Sequence, residues 1–274
     1  MEKYIIDNFN LKDTLLCGQI FRVELIDDYY YVILKDRIIK IKQIGKEIYV
    51  DSNNKNNLKE VIYEYFDLNR NYETINNKII EYNPNIKDII KDNIGLKIIK
   101  QDKFECIISY ILSSNNSVNN IKNALDNISK EYGKKIEYDN KTFYLFPSIN
   151  NLINVKEEDY RRLKCGFRDK YIKQIINNIN NKEFDINKID ELNSNTALNY
   201  LMNQKGIGLK VASCILLFAY SRFDIFPIDT WVKKYMKEKY NIEEISKIKE
   251  YFINNYHEYC GLVIQYIFNY NRNK

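Results

Sequence analysis

Between residues 19 and 50 apolar and polar side chains alternate in short runs, at 20–25, 29–34, 37–41 and 47–50, rich in Ile, Val and Tyr. Asp27-Asp28, Lys35-Asp36 and Gly45-Lys46 separate the runs, which predicts an antiparallel meander. After Asn57 the period lengthens. Leu58, Val61, Ile62, Tyr65 and Phe66 recur at helical spacing, as do Phe104, Ile107, Ile108 and Ile111. The rest reads as helices of moderate length, with residues 139–146 and 181–193 as loops and Pro147 ending the first loop. The expected architecture is α+β: a small N-terminal antiparallel β-sheet domain with its following helices over 1–85, then a mostly α-helical body over 86–274. No strand–helix alternation suggests a nucleotide-binding fold.

Two helix starts near the C-terminus carry candidate chemistry. Gly206-Ile207-Gly208-Leu209-Lys210 opens a helix whose apolar stripe is Val211, Cys214, Ile215, Phe218 and Ala219. With Leu201 and Met202 before it, this makes a helix-hairpin-helix pattern near 198–220. Glycines there let the backbone turn with positive φ and let another chain approach, so the first amides of the helix can face a phosphate. Like-charge crowding and partial burial would raise the fraction of neutral, nucleophilic amine on Lys210. Phe226-Pro227-Ile228-Asp229 opens the next helix, where the aspartate can cap while its carboxylate faces a cation or an electron-poor carbon. On these residues alone, the hairpin fits DNA-backbone binding and an ordinary helix–helix corner equally well.

Composition narrows the field. The chain has 274 residues, 45% hydrophobic and 29% charged, as expected of an ordinary globular protein with room for a sizeable core. A net charge of +5 permits a polyanionic partner without requiring one. The cysteines at 17, 106, 165, 214 and 260 are odd in number and form no Cys-x-x-Cys pair, which argues against a disulfide framework, a zinc site or an iron–sulfur cluster. One histidine, His257, leaves Ser-His-Asp and metal chemistry poorly supplied, so neither a metal nor another cofactor is expected. The N-terminus lacks a secretory pattern and no stretch approaches a membrane span, making a cytoplasmic, nucleoid-associated monomer without membrane contact the expectation.

Lys210 after the hairpin glycines, with Asp229 following, resembles the helix-hairpin-helix DNA glycosylases, and among them the 8-oxoguanine DNA glycosylases. The segment from Gly95 through Gln101-Asp102 and Glu105-Cys106 to Ser113-Ser114-Asn115-Asn116 is similar to that family, as are Gly18-Gln19-Ile20-Phe21-Arg22 and Gly166-Phe167-Arg168. The matches run in order from residue 18 to residue 268. The resemblance implies a bifunctional enzyme acting on double-stranded DNA containing oxidised guanine. In it Lys210 would attack the sugar C1′ and form a Schiff base that nicks the strand by β-elimination. Asp229 would stabilise positive charge on the sugar. Gly18 would accept the N7 proton that 8-oxoguanine has and guanine lacks, Cys214 and Phe268 would sandwich the flipped purine, and Pro227 would lie beside it. Asn115 would fill the gap left in the duplex, Phe167 would be the aromatic wedge, and Arg168 would contact the orphaned base. Gly206 and Gly208 would meet the DNA backbone.

The sequence departs from the family pattern at several of these places. Val23 stands where a tryptophan is common, Lys205 where proline precedes the hairpin, Asn120 where animal enzymes have an arginine, and Trp231 where they have a histidine. The glutamine expected for the purine's Watson–Crick edge falls on Ile264, so either Gln265 serves or base recognition is less complete. Removal of other damaged purines, a non-catalytic damage-binding module and an RNA-binding helical protein are the alternative readings.

Overall fold

The computed structural model describes residues 1–272. Five strands, β1 (Glu2–Ile5), β2 (Val23–Ile26), β3 (Tyr29–Ile33), β4 (Ile38–Ile44) and β5 (Glu47–Ser52), form one antiparallel sheet in the order β1-β5-β4-β3-β2. The register pairs Tyr30 with Ile41 and Val32 with Ile39, and Ile41 in turn with Val50. These residues therefore share one face, which buries against Leu11, Leu15, Leu58, Ile62 and Phe66. Tyr31 and Ile38 point the other way.

One strand of a hairpin lies where residues 139–146 read as a loop, and its partner lies just before. β6 (Lys135–Tyr138) and β7 (Lys141–Tyr144) make a hairpin turned by Asp139 and Asn140, both at positive φ. Its Phe143 and Leu145 cover Tyr31 and Ile38, with Tyr31 and Phe143 stacked at 5.3 Å. Strands of four residues with charged outer positions give too short an alternation to detect, and their stability comes from this packing. β1 is an exposed edge strand held by its ladder to β5, so it too has no sequence period. The predicted run at 20–25 becomes a strand only from Val23, because Phe21 and Arg22 leave the sheet for the helical core. Arg22 is 5% exposed and donates to Glu105 at 3.0 Å and to the Tyr144 carbonyl.

The helical body has one continuous apolar core. At its centre the Lys103–Leu112 helix packs on the Leu209–Tyr220 helix, with the rings of Tyr110 and Phe218 stacked at 5.6 Å. Core residues from the N-terminal segment (Cys17, Phe21) and from the C-terminal Cys260–Arg272 helix (Val263, Ile264) join the same cluster, so the two ends of the chain meet there. No described helix is long and apolar enough to cross a membrane.

Candidate active site

Helices Ser194–Met202 and Leu209–Tyr220 form the hairpin that the glycine spacing predicts. Only one of its glycines has the anticipated conformation. Gly206 has φ +86°, and a Cβ there would lie 2.5 Å from Tyr171 Cγ, so any side chain would collide. Gly208 is extended (φ −88°, ψ 178°), caps the second helix through its backbone, and has nothing within 4 Å of a would-be Cβ. Its role is open space rather than a turn. Lys210, in the first turn, is exposed and not partly buried, which corrects the sequence expectation.

Asp229 is the N-cap of the Thr230–Tyr240 helix, its Oδ1 accepting from the Val232 amide at 2.9 Å. The bland and the functional readings of this residue are therefore compatible: one oxygen caps, and Oδ2 has no partner among the described residues. No ion pair joins Lys210 to Asp229 among the described residues, yet both line one cavity of about 430 Å³. Cys214 lines it with them, 6% exposed, its thiol pushed up to about 12 by burial, with a smaller downward influence from Lys210 and a smaller upward one from Asp229. The sulfur is thus a neutral, apolar wall.

The same cavity gathers Gly18, Pro227, Gln265 and Phe268, so every residue expected to act on the sugar or hold the base lies in one place. Gly18 sits at φ +82° with a would-be Cβ only 3.1 Å from Phe268 Cε1. The carbonyls around it are claimed: Leu16 by Arg272 (2.6 Å), Cys17 by Gln265 Nε2 (2.8 Å), and Gln19 by Gln101 (2.6 Å) and the Tyr110 hydroxyl (3.1 Å). The Gly18 carbonyl accepts nothing from the described residues. It is an unspent acceptor on a residue that lines the cavity.

Gln19, to which the sequence motif assigns no role, fixes that loop. Fully buried, it donates to the Thr14 and Lys97 carbonyls at 2.7 and 2.8 Å and accepts from the Ile99 amide at 3.0 Å. Ile264 and Gln265 both line the cavity; Ile264 is 3% exposed, and Gln265 spends one amide N–H on Cys17. Val118 and Lys233 also line it, where no local sequence signal places them, as does Trp231, which stands at the family's histidine position two residues after Asp229. Trp231 is 43% exposed, an aromatic left uncovered beside the aspartate. A larger cleft of about 770 Å³ brings together none of the expected site residues, and its charges pair with one another, as in Lys35–Asp102 (3.3 Å) and Lys103–Asp190.

Outside the cavity, Asn115 is exposed at φ +49° in the turn after the Lys103–Leu112 helix, and Phe167 is 53% exposed. Arg168 is neither a solvated charge nor a free probe. It is 6% exposed, with Nε on the Ser114 carbonyl at 2.9 Å and Nη2 on the Asn115 carbonyl at 2.9 Å.

Comparison with known proteins identifies the family. Residues 4–107 match the family model "8-oxoguanine DNA glycosylase, N-terminal domain". The structure of the Clostridium acetobutylicum 8-oxoguanine glycosylase/lyase, in complex with double-stranded DNA containing cytosine opposite 8-oxoG, superposes with a TM-score of 0.91 at 35% identity, covering 97% of this chain and 92% of that one. A probable N-glycosylase/DNA lyase of Methanothermobacter thermautotrophicus is 28% identical over 250 residues, 82% of this chain and 78% of its own. The Arabidopsis thaliana N-glycosylase/DNA lyase OGG1 is 28% identical over 192 residues, 65% of this chain but only 52% of the plant protein, about half its length. On the fold and these likenesses, the chain belongs to the 8-oxoguanine DNA glycosylase family.

Proposed function

We propose that this protein excises 8-oxoguanine from duplex DNA and then nicks the strand at the resulting site. The observation that carries the reading is the convergence of Lys210, Asp229, the unpaired Gly18 carbonyl, Cys214 and Phe268 on one cavity. A nucleotide swung out of the stack would place its base between Cys214 and Phe268. The Gly18 carbonyl accepts the N7–H of 8-oxoguanine; guanine presents a lone pair there, leaving two acceptors face to face. That mismatch, buried, costs about 1–3 kcal/mol and supplies discrimination.

Lys210 Nζ attacks C1′ as the C1′–N9 bond breaks, and the purine leaves with the bonding electrons and takes up a proton. The free oxygen of Asp229 faces the positive charge that develops on the sugar. Loss of protons from nitrogen and opening of the ring give the Schiff base. Removal of a C2′ proton then expels the 3′ phosphate. Borohydride reduction of a reaction with lesion-containing duplex should trap a covalent complex, and Lys210→Gln should bind the duplex without trapping or cutting. Tight binding by wild type with no adduct would leave a damage-binding module instead. Ile264 in the cavity wall favours one second reading, removal of other damaged purines, and equal excision of several of them would support it.

A further inference from the structure

Gln265 lines the cavity, yet its amide is engaged by the protein itself. The side chain is 5% exposed, and its Nε2 donates to the Cys17 carbonyl at 2.8 Å. Burial pushes the Cys17 thiol up to about 12; hydrogen bonds that favour the thiolate, one of them from the Gln265 side chain, act the other way. The amide nitrogen therefore serves both the carbonyl and the sulfur of one residue. A glutamine that reads a base edge offers its nitrogen and its oxygen to it together. Here the nitrogen is already committed, and Ile264 beside it brings no polar group.

The commitment falls next to the acceptor of the pocket. Gly18 lies between two held peptides. After it, the Gln19 carbonyl accepts from Gln101 and the Tyr110 hydroxyl, while the Gln19 side chain is tied to the backbone of Thr14, Lys97 and Ile99. Before it, the holds come from the C-terminal helix: Gln265 on the Cys17 carbonyl and, about two turns on, Arg272 on the Leu16 carbonyl at 2.6 Å. Phe268 stands between them on the same face of that helix, 3.1 Å from where a Cβ of Gly18 would lie. A glycine peptide rotates where any other residue would resist, so the direction of the Gly18 carbonyl is set by what holds its neighbours.

We infer that Gln265 is a positioning residue: through the Cys17 carbonyl it keeps the Gly18 peptide in register with the Phe268 ring, and it does not read the Watson–Crick edge of the base. The inference rests on the proposed excision of 8-oxoguanine for its consequence, though not for its geometry. Loss of Gln265 then harms every base that is held by its face and its N7–H, whatever groups the opposite edge carries.

The test uses Gln265→Leu, which keeps the bulk without the donor. Single-turnover excision is measured on duplexes with 8-oxoguanine and with 8-oxohypoxanthine, the same base without its exocyclic amine; both carry N7–H. Both rates should fall together, by roughly 10- to 100-fold, with their ratio unchanged from wild type, while nicking of a preformed abasic duplex stays within a small factor. A fall confined to 8-oxoguanine, which removes the wild-type preference between the two bases, would show that Gln265 reads the edge and would refute the inference. So would excision at the wild-type rate, or an equal loss of nicking. Arg272→Met removes the second hold from an exposed side chain that the core does not need, and should give the same pattern in smaller degree; Arg272→Lys, which keeps a donor for the Leu16 carbonyl, should restore it. Hydrogen–deuterium exchange of the DNA-free proteins reads the hold directly. Residues 11–19 should exchange faster in Gln265→Leu and residues 97–101 should not, and unchanged exchange in the first segment would overturn the hold whether or not the protein is an enzyme. Failure of wild type to excise 8-oxoguanine at all would instead refute the proposed function, leaving exchange to decide the role of Gln265.

Discussion

Replacing Gly18 by alanine should separate the two chemical steps. The residue sits at φ +82°, where an L side chain costs about 1–2 kcal/mol. That is a fraction of the roughly 5–15 kcal/mol that holds a domain folded, so the variant should remain native. The new methyl would lie 3.1 Å from Phe268 Cε1, closer than carbon atoms ordinarily pack, so the ring must retreat by a few tenths of an ångström. Phe268 is only partly buried and can move outward. The neighbouring carbonyls are pinned by Arg272, Gln265, Gln101 and Tyr110, so Gly18 cannot relieve the strain by shifting the loop, and its own carbonyl must rotate. Both the sandwich and the N7–H acceptor are then out of place, and base excision should fall by roughly 10- to 100-fold. An abasic site has no base to hold. Nicking of a preformed abasic duplex, which needs Lys210 and Asp229 alone, should stay within a small factor of wild type. The two activities are measured side by side in single-turnover gels, with a urea melt to confirm folding. A parallel loss of both activities, or excision at the wild-type rate, would show that Gly18 is not part of a base pocket.

Asp229→Asn should leave stability unchanged within about 0.5 kcal/mol, because asparagine caps helices as well as aspartate; excision and trapping should nevertheless fall, and a matching loss of thermal stability would reduce Asp229 to a cap. Burial lowers the Lys97 pKa from 10.5 to about 8, partly opposed by Asp67, with Nζ 4.1 Å above the Tyr72 ring. Between those two values the unfolded chain holds a proton that the folded one has released, so this residue makes stability rise with pH and imposes its full cost, about 3 kcal/mol, below pH 8. Lys97→Met should therefore gain stability at pH 7, less what is lost with the ring contact, and the gain should shrink by about 2 kcal/mol at pH 10; urea melts of both proteins at the two pH values check it, and a pH-independent difference would mean that Lys97 is not depressed.

Much of the site is legible in the sequence because its cues are local. Gly-x-Gly before Lys210 and Pro-x-Asp at 229 each mark a helix start within a few residues, and the apolar stripe from Val211 to Ala219 shows which side of the helix is inward. β5 alternates cleanly because one of its faces is buried, whereas β3 and β4 are buried on both and are legible from their β-branched and aromatic runs between turn residues. What the sequence hides depends on distant partners. That the Gly18 carbonyl is unspent follows only once Gln265 and Arg272, some 250 positions away in the chain, have taken its neighbours. That the Arg168 guanidinium is taken up by the turn at Ser114 shows only once that turn has folded over it. β1 and the β6–β7 hairpin lack a period of their own, since each is stabilised by a ladder or a face supplied by other segments.

The chain contains a single tryptophan, and it is Trp231, half uncovered at the cavity rim. Excitation at the red edge of protein absorbance therefore addresses one indole, next but one to the aspartate of the site. Whatever enters the cavity should change that emission, so occupancy can be followed in real time on unlabelled wild-type protein.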